Sequence, residues 1–389
     1  MKIPHFIPYL GKSMGGPVYS LSTIAKIQQE LGHEVYIYSV QKINDGAVIS
    51  FPPGVEIGAL HKSSWGRFRH SPALWRVNNA RKFPIIHSHC LWTDVARVAA
   101  NFAGTYKIPH VISPCGMVQP KALRRSWWIK VPIRIWFQDK ALRQAACIHA
   151  KSHAEYKDLR RYGLRTPIAI LPNPVLPPSQ SIQSEHRTFW RQYGLPETRN
   201  RILFLGRIHP VKGILRLVSA WAQLRKYHEQ WSLILAGPDE DKFCHVVRRH
   251  IQSLGCADSI IFTGELSGDK KWQALASADV FVMPSDFENF GLSIAEAAFV
   301  GVPIITTTGT PWEDLNKQRA GWWVAPTESA LATAMNEAFD LSTDERNAMG
   351  ENAKRLSARF DPNQVVSGLI DLYRWLISGE KPPACVCFN

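Results

Sequence analysis

At 389 residues the chain is too long for one ordinary hydrophobic core, and at one domain per ~150 residues it should hold two or three. Its 45% hydrophobic and 20% charged residues exclude a disordered or fibrous chain, and no apolar run approaches the ~18 residues of a membrane-spanning helix. The net charge of +14 is lopsided: residues 1–180 hold 24 Lys and Arg against 8 acids, residues 181–389 hold 22 against 24, so an anionic partner is expected on the first half.

The opening MKIPHFIPYLGKSMGG has a short apolar run with two prolines that leads into a glycine turn. It reads as a first strand and a Gly-rich loop (Gly11, Gly15, Gly16) rather than a signal peptide, and a cytoplasmic location is expected. A helix carrying Leu21, Ile24, Ala25 and Leu31 should stop at Gly32. EVYIYSV, PIIHSHC and HVISP read as strands, with a helix in TDVARVAANFAG. His87 and His89 in PIIHSHC are assigned to opposite faces, His87 to the core and His89 to the ligand side.

The segment KALRRSWWIKVPIRIWFQDK interleaves Lys121, Arg124, Arg125, Lys130 and Arg134 with Trp127, Trp128, Ile133, Trp136 and Phe137. Three readings stay open: a solvated helix with a buried aromatic face, a contact surface for anionic membrane, or a surface for an acidic saccharide. Nucleic acid is not expected, because no helix-turn-helix, zinc finger or RNA-recognition motif accompanies the charge. CIHAKS reads as a strand. Ser152 and Glu155 form an S-x-x-E box that should start a helix at His153 and carry it to near Gly163. IAILPN is a further strand, and the Pro/Ser-rich NPVLPPSQS is the best linker.

The alternation then restarts with RILFLGRI, WSLILAGP, SIIFTG, VFVMPS and PIITTT as strands, and a last helix from about Gln364 to Ser378. Two such series make an α/β chain of two doubly wound parallel sheets, with ligands at the carboxyl ends of the strands. The seven Cys are an odd number without metal-ligand spacing and read as reduced thiols; the Cys385–Cys387 pair has no partner pair.

Two loops carry chemistry. In VFVMPSDFENFGLSIAEA a strand ends, a loop presents Glu288, and the chain turns through Phe290 and Gly291 into a helix that holds Glu296. The amides of Gly291, Leu292 and Ser293 at that helix start suit a diphosphate, and Glu296 suits ribose hydroxyls. In LFLGRIHPVKG a strand ends at Gly206 and the cations Arg207 and Lys212 follow, able to neutralise a diphosphate without a metal. Pairs of Glu or of cations at such spacings also recur on solvated surfaces; placement across strand, turn and helix marks these. No Walker loop, D-x-D or His/Cys cluster offers a metal site.

GRIHPVKG, the E-x7-E of FENFGLSIAEA, LPNPV before the second series and the Gly-Gly loop after the first strand together resemble glycosyltransferase family 4 over nearly the whole chain. HSHCLW, SPCGM and LPNPV resemble a subgroup acting on bacterial polysaccharides. The resemblance implies a GT-B fold: an acceptor domain over 1–178, a donor domain over 179–365, the two facing a cleft, and a C-terminal helix (366–389) that packs back on the first. It implies a retaining, metal-independent transfer of a hexose, glucose being the best guess, from a UDP-sugar to a saccharide or lipid-diphosphate-linked acceptor at the inner membrane face. It implies that Arg207 and Lys212 bind the diphosphate, that Glu288 contacts the donor sugar, and that Glu296 binds the ribose. Asn289, Phe290, Gly291 and Leu292 would offer backbone amides, and Gly15 and Gly16 would cover the diphosphate. His89 would touch the sugar, and Glu265 and Leu266 would wall the base. The family often has Gly or Asn at Cys90, Arg or His at Cys115, and LPNG for LPNP. Other readings are a sugar-nucleotide epimerase or phosphorylase of the same fold, or a non-catalytic anion-binding scaffold.

Overall fold

A computed structural model describes residues 1–41, 48–62, 68–77, 82–177, 188–239 and 242–388. The chain divides into two compact units, Met1–Pro174 with Phe360–Asn389, and Val175–Arg359. The expected linker runs from Val175–Pro177 into residues outside the described set.

The first unit holds β1 (Lys2–Phe6), β2 (Glu34–Gln41), β3 (Glu56–Lys62), β4 (Ile86–His89), β5 (His110–Ser113), β6 (Cys147–Ala150) and β7 (Ile168–Ile170). The second holds β8 (Asn200–Leu205), β9 (Trp231–Ala236), β10 (Ile260–Gly264), β11 (Val280–Met283), β12 (Ile304–Thr307) and β13 (Gly321–Val324). The chain ends with β14 (Val386–Cys387). The sheets run β14-β7-β6-β5-β4-β1-β2-β3 and β10-β9-β8-β11-β12-β13. Only β14 is antiparallel, against β7. The winding reverses between β1 and β4 in the first sheet, and between β8 and β11 in the second. This is the doubly wound α/β architecture that the alternation implies.

The strands are apolar runs because helices cover both faces. On one face of the first sheet Ile3, Ile85 and Val111 meet Ile24 and Ile27 of the helix Gly16–Glu30 and Val366, Leu369, Leu372 and Tyr373 of the helix Pro362–Ser378. On the other face Phe6, Tyr38 and Ile86 meet Val95, Val98 and Phe102 of the helix Asp94–Tyr106. The C-terminal helix thus packs on the first sheet, as the resemblance implies. Its ends are local: Asp361 accepts from the Gln364 N–H at 2.9 Å, Pro362 opens the first turn, and Gly379 takes φ 75 to close it. Beyond it Cys385 accepts from the Ile170 N–H at 2.8 Å, and the Arg160 guanidinium donates to the Cys387 carbonyl at 3.0 Å. The terminal thiols therefore lie along a strand edge.

Two expectations shift. The capping box at Ser152 forms by half: its hydroxyl accepts from the Glu155 N–H at 3.1 Å. The Glu155 carboxylate instead accepts from Lys151 N–H at 2.7 Å and Gly116 N–H at 2.6 Å, tying the loop after β5 to the one after β6. Sequence alternation also fails to single out β3, β13 and β14. All three are edge strands, where one-sided cover weakens the apolar signal.

Leu369 is buried in the first core and Ile377 is exposed, on the same helix. Leu369→Ala should cost about 2–5 kcal/mol, and Ile377→Ala under about 0.5 kcal/mol, in urea denaturation. Equal midpoints for the two variants would show that the helix is not docked on the sheet.

Candidate functional site

The reversal between β8 and β11 gathers the residues of both chemical loops. After β8 the chain passes Gly206 and Arg207, and the His209 ring accepts from the Val211 N–H at 3.1 Å to start the turn Pro210–Lys212. Gly213 follows at φ 68; a Cβ there would stand 2.2 Å from the Pro284 carbonyl oxygen. Glycine is what lets the two loops touch. The Asp286 N–H donates to the Val211 carbonyl at 2.9 Å, and Arg216 pairs with Asp286.

Lys212 meets Glu288 in this contact as an ion pair. The Ser285 hydroxyl donates to the same carboxylate oxygen at 2.9 Å, and the Glu288 N–H donates to the Gly309 carbonyl at 2.8 Å. Next comes Gly291 at φ 83, which N-caps the helix Leu292–Val300. The Phe290 carbonyl is pinned by Trp312 Nε1 at 2.6 Å. The Ile294 N–H donates back to the Gly291 carbonyl at 3.0 Å, and the Leu292 and Ser293 amides precede it at the helix start, directly after the loop that carries Glu288. Glu296, one turn further, is buried and pairs with Lys271 at 2.6 Å.

Arg207, Lys212, Glu288, Asn289, Phe290, Gly291 and Leu292 therefore stand on adjoining loops. Glu265 and Leu266 do not: they follow β10, two strands from β8, about 10 Å across by strand spacing. Ser285 and Lys271, which orient the two glutamates, carry no motif and were not readable from sequence. A cavity of about 930 Å³ lined by Arg201, Asp279, Pro303 and Arg346 opens at the other, N-terminal, ends of these strands and lies away from the loops.

In the first unit Gly15 (φ 68) and Gly16 start the helix after β1, and His89 ends β4, so both flank the β1/β4 reversal. The assignment of His87 and His89 to opposite faces is wrong. Residues two apart on a strand share a face, and the two rings stack with centroids 4.3 Å apart. Both belong to a buried polar chain. Gln28 Oε1 and His5 Nε2 are 2.9 Å apart, and His5 Nδ1 and His89 Nε2 are 3.0 Å apart. His87 bonds Tyr373 at 2.5 Å and Ser113 at 2.8 Å. Ser113 bonds His149 Nδ1 at 3.0 Å, and the buried Lys151 ammonium lies 3.2 Å from that nitrogen.

Burial pushes His5 down to about 4, pushes His87, His89 and His149 well below their ordinary value, and brings Lys151 down to about 8. Beside Lys151 the two thiols share a hydrogen bond, which lowers Cys115 and raises Cys90. Nitrogens of His5, His87 and His89 lie within 4.8 Å of one another, a cluster hidden from sequence because it spans two strands. Stacked rings do not converge on one point, and both His87 nitrogens are already bonded, so the trio is a core network. β1, β4, β5 and β6 do carry buried His residues, at His5, His87 and His89, His110 and His149, but their contacts across strands do not show in the sequence.

Residues 15–174 match the model of the glycosyl transferase 4-like domain, and residues 186–356 that of glycosyl transferases group 1. An uncharacterised glycosyltransferase of Methanocaldococcus jannaschii, MJ1607, is 24% identical over 82% of this chain and 83% of its own. The GDP-mannose:cellobiosyl-diphosphopolyprenol alpha-mannosyltransferase of Komagataeibacter xylinus is 24% identical over 99% of this chain and 95% of its own. Among solved structures, Anabaena Alr3699/HepE in complex with UDP-glucose superposes with a TM-score of 0.74 at 20% identity, covering 95% of this chain and 99% of that one. The fold is GT-B.

The buried imidazoles set a pH dependence. Each is neutral in the folded unit but takes up a proton below about 6.5 once unfolded. The unfolded chain thus binds more protons between that value and about 4, where His5 titrates in the fold, and stability must fall as pH drops through that window. Urea midpoints measured at pH 7.5 and 5 should show the loss. Equal midpoints would mean the imidazoles are not held neutral.

Proposed function

The chain belongs to the group 1 glycosyltransferases, enzymes that move sugars from nucleotide-sugar donors, and from that premise we propose a retaining, metal-independent hexosyltransferase using a UDP-sugar, UDP-glucose first, with an anionic, lipid-linked saccharide as acceptor. The observation that carries the donor half is the meeting of Lys212 and Glu288 at the β8/β11 reversal, beside the start of the helix Leu292–Val300.

A diphosphate entering this junction competes with Glu288 for Lys212. Lys212, Arg207 and the helix amides then face the phosphates. Glu288, released from its cation and still held by Ser285, is left to accept donor-sugar hydroxyls. In this proposal Glu296 takes the ribose and Glu265–Leu266 the base.

When the bond from the anomeric carbon to the phosphate oxygen breaks, its electron pair stays on that oxygen. Arg207, Lys212 and the amides stabilise the charge that builds there, as a metal would elsewhere. The acceptor hydroxyl oxygen bonds to the anomeric carbon on the face being vacated and gives its proton to the departing phosphate oxygen, so configuration is retained. No second carboxylate offers itself as a nucleophile opposite Glu288 among the residues singled out, which disfavours a double displacement. Uracil is favoured by the HepE complex with UDP-glucose; the Komagataeibacter relative, named for GDP-mannose, makes guanine the alternative. An acceptor bearing phosphate or uronate suits the excess of Lys and Arg in residues 1–180.

Thermal shift of the full chain with UDP-glucose, GDP-mannose and ADP-glucose, with and without EDTA, tests the donor. Ligand at a hundred times its Kd should stabilise by about 2.7 kcal/mol. A uridine-selective shift indifferent to EDTA is expected; a guanosine-selective shift overturns the base, a shift abolished by EDTA overturns metal independence, and no shift overturns the site. Arg207→Ala and Lys212→Ala should each lower kcat for sugar transfer by about 10²–10³-fold. Native turnover in both removes their role.

A further inference from the structure

The segment joining β5 to β6 plays no part in the donor chemistry, and the structure removes one of its open readings. The aromatic face is not buried. Trp127 is 59% exposed, Trp128 62%, Ile135 81% and Trp136 59%, with Ile129 and Val131 exposed beside them. The helix Trp127–Ile133, sequence WWIKVPI, has no buried residue at all. Around these side chains residues 120–144 carry seven Lys and Arg against a single acid, Asp139. That acid is engaged by the Tyr162 hydroxyl at 2.5 Å and lies 3.5 Å from Arg134. Lys121, Arg124, Arg125, Lys140 and Arg143 remain exposed.

The segment is held in place rather than frayed. The Trp92 N–H donates to Gln138 Oε1 at 3.0 Å, Phe68 stacks on one side of Trp136 at 5.9 Å, and the Arg97 guanidinium lies 4.4 Å from that indole's centroid. Arg97 is itself fixed by Asp94 at 2.7 Å. A rigid scaffold therefore displays an apolar, tryptophan-rich surface inside a ring of positive charge. It does so beside the His89–Trp92 loop, at the carboxyl edge of the first sheet.

We propose that residues 120–144 are a docking platform for the surface of an anionic phospholipid bilayer, with Trp127, Trp128, Ile135 and Trp136 entering the headgroup region and the surrounding Lys and Arg meeting lipid phosphates. Indoles favour that interfacial depth, and basic side chains add attraction to anionic lipid. A second copy of the chain fits poorly, because a two-fold contact would set this positive ring against itself. The proposal rests on the lipid-linked acceptor reading only for its purpose: the platform would hold the first sheet's carboxyl edge where such an acceptor is presented.

The test is flotation of the purified full chain with vesicles of phosphatidylcholine alone or mixed with phosphatidylglycerol. The chain should float with the mixed vesicles only, and less at high salt. Trp128→Ser with Ile135→Ser should cut partitioning at least about tenfold, and Arg124→Ser with Arg125→Ser by roughly fivefold for each charge removed. These side chains are exposed, so melting temperature and nucleotide-induced shift should stay native in both variants. Absence of flotation with either vesicle overturns the proposal. So does flotation that both variants retain, or a dimer of the native chain that Trp128→Ser with Ile135→Ser dissolves. Flotation without any nucleotide shift would remove the donor reading and leave the platform standing; a shift without flotation would do the reverse.

Discussion

In a parallel doubly wound sheet the crossovers are right-handed, so helices lie on one face to one side of the reversal point and on the other face beyond it. The loops leaving the two strands at the reversal diverge, and a crevice opens that no connection covers. Helix N-termini line its rim. The Lys212 and Glu288 loops occupy this place: Lys212 follows β8 and Glu288 follows β11, the two strands that adjoin without being consecutive. Their ion pair exists because Gly213 lets the β8 loop rest on the Pro284 carbonyl. A residue with a Cβ would separate cation from carboxylate, whatever else was conserved in type.

The first sheet reverses between β1 and β4 and fills the same place differently. Instead of an ion pair it has a chain of neutral imidazoles, with His5 from one strand bonded to His89 from the other. Such a chain is stable in a dry interior only if every nitrogen finds a partner without a charge to hold. Gln28, Tyr373, Ser113 and the Leu171 carbonyl supply such partners to His5, His87 and His149. Tyr373 comes from the C-terminal helix, so that helix completes the polar core as well as the apolar one. Just past the network Cys90, Trp92 and Cys115 take φ of 67, 67 and 54. Side chains there cost roughly 1–2 kcal/mol against glycine, which gives a physical sense to the Gly or Asn that the resemblance implies at Cys90. A turn built against that cost is held by its surroundings, here the Cys90 N–H on the Ser113 carbonyl at 2.8 Å.

Much of this was legible beforehand for a definite reason. Strands buried on both faces are apolar throughout, and β1, β4, β5, β6, β8, β9, β11 and β12 stand out because helices cover them. Gly291 and Gly213 punctuate strand–loop–helix junctions and so marked where a ligand meets backbone. Apart from β10, the edge strands were not legible, and neither were the side-chain partners. β3, β13 and β14 lack a full apolar code, and Ser285, Lys271 and Lys151 are ordinary residues whose meaning is spatial. The misassignment of His87 and His89 had another origin, since the period-two rule itself puts them on one face. What hid the network was that its members lie on four strands and two helices, from His5 to Tyr373.

On the proposed reading, the charge asymmetry matches what each unit would hold. A nucleotide diphosphate is a compact anion, and two cations with a few amides at one junction can meet it, so a near balance of charge over residues 181–389 is no obstacle. A bilayer surface is extended, its potential decays within about a Debye length, and attraction to it grows with the number of basic groups brought close together. The Lys and Arg excess of residues 1–180 has that distributed character, and seven of these basic residues, in 120–144, surround Trp127, Trp128 and Trp136, the exposed tryptophans among the described residues. Amphipathic composition alone could not tell which side of that segment faces the protein; the exposure of Trp128 and Ile135 does. With the aromatic side turned outward, the same positive charge that would be idle on a solvated helix is available to the proposed contact with a lipid surface.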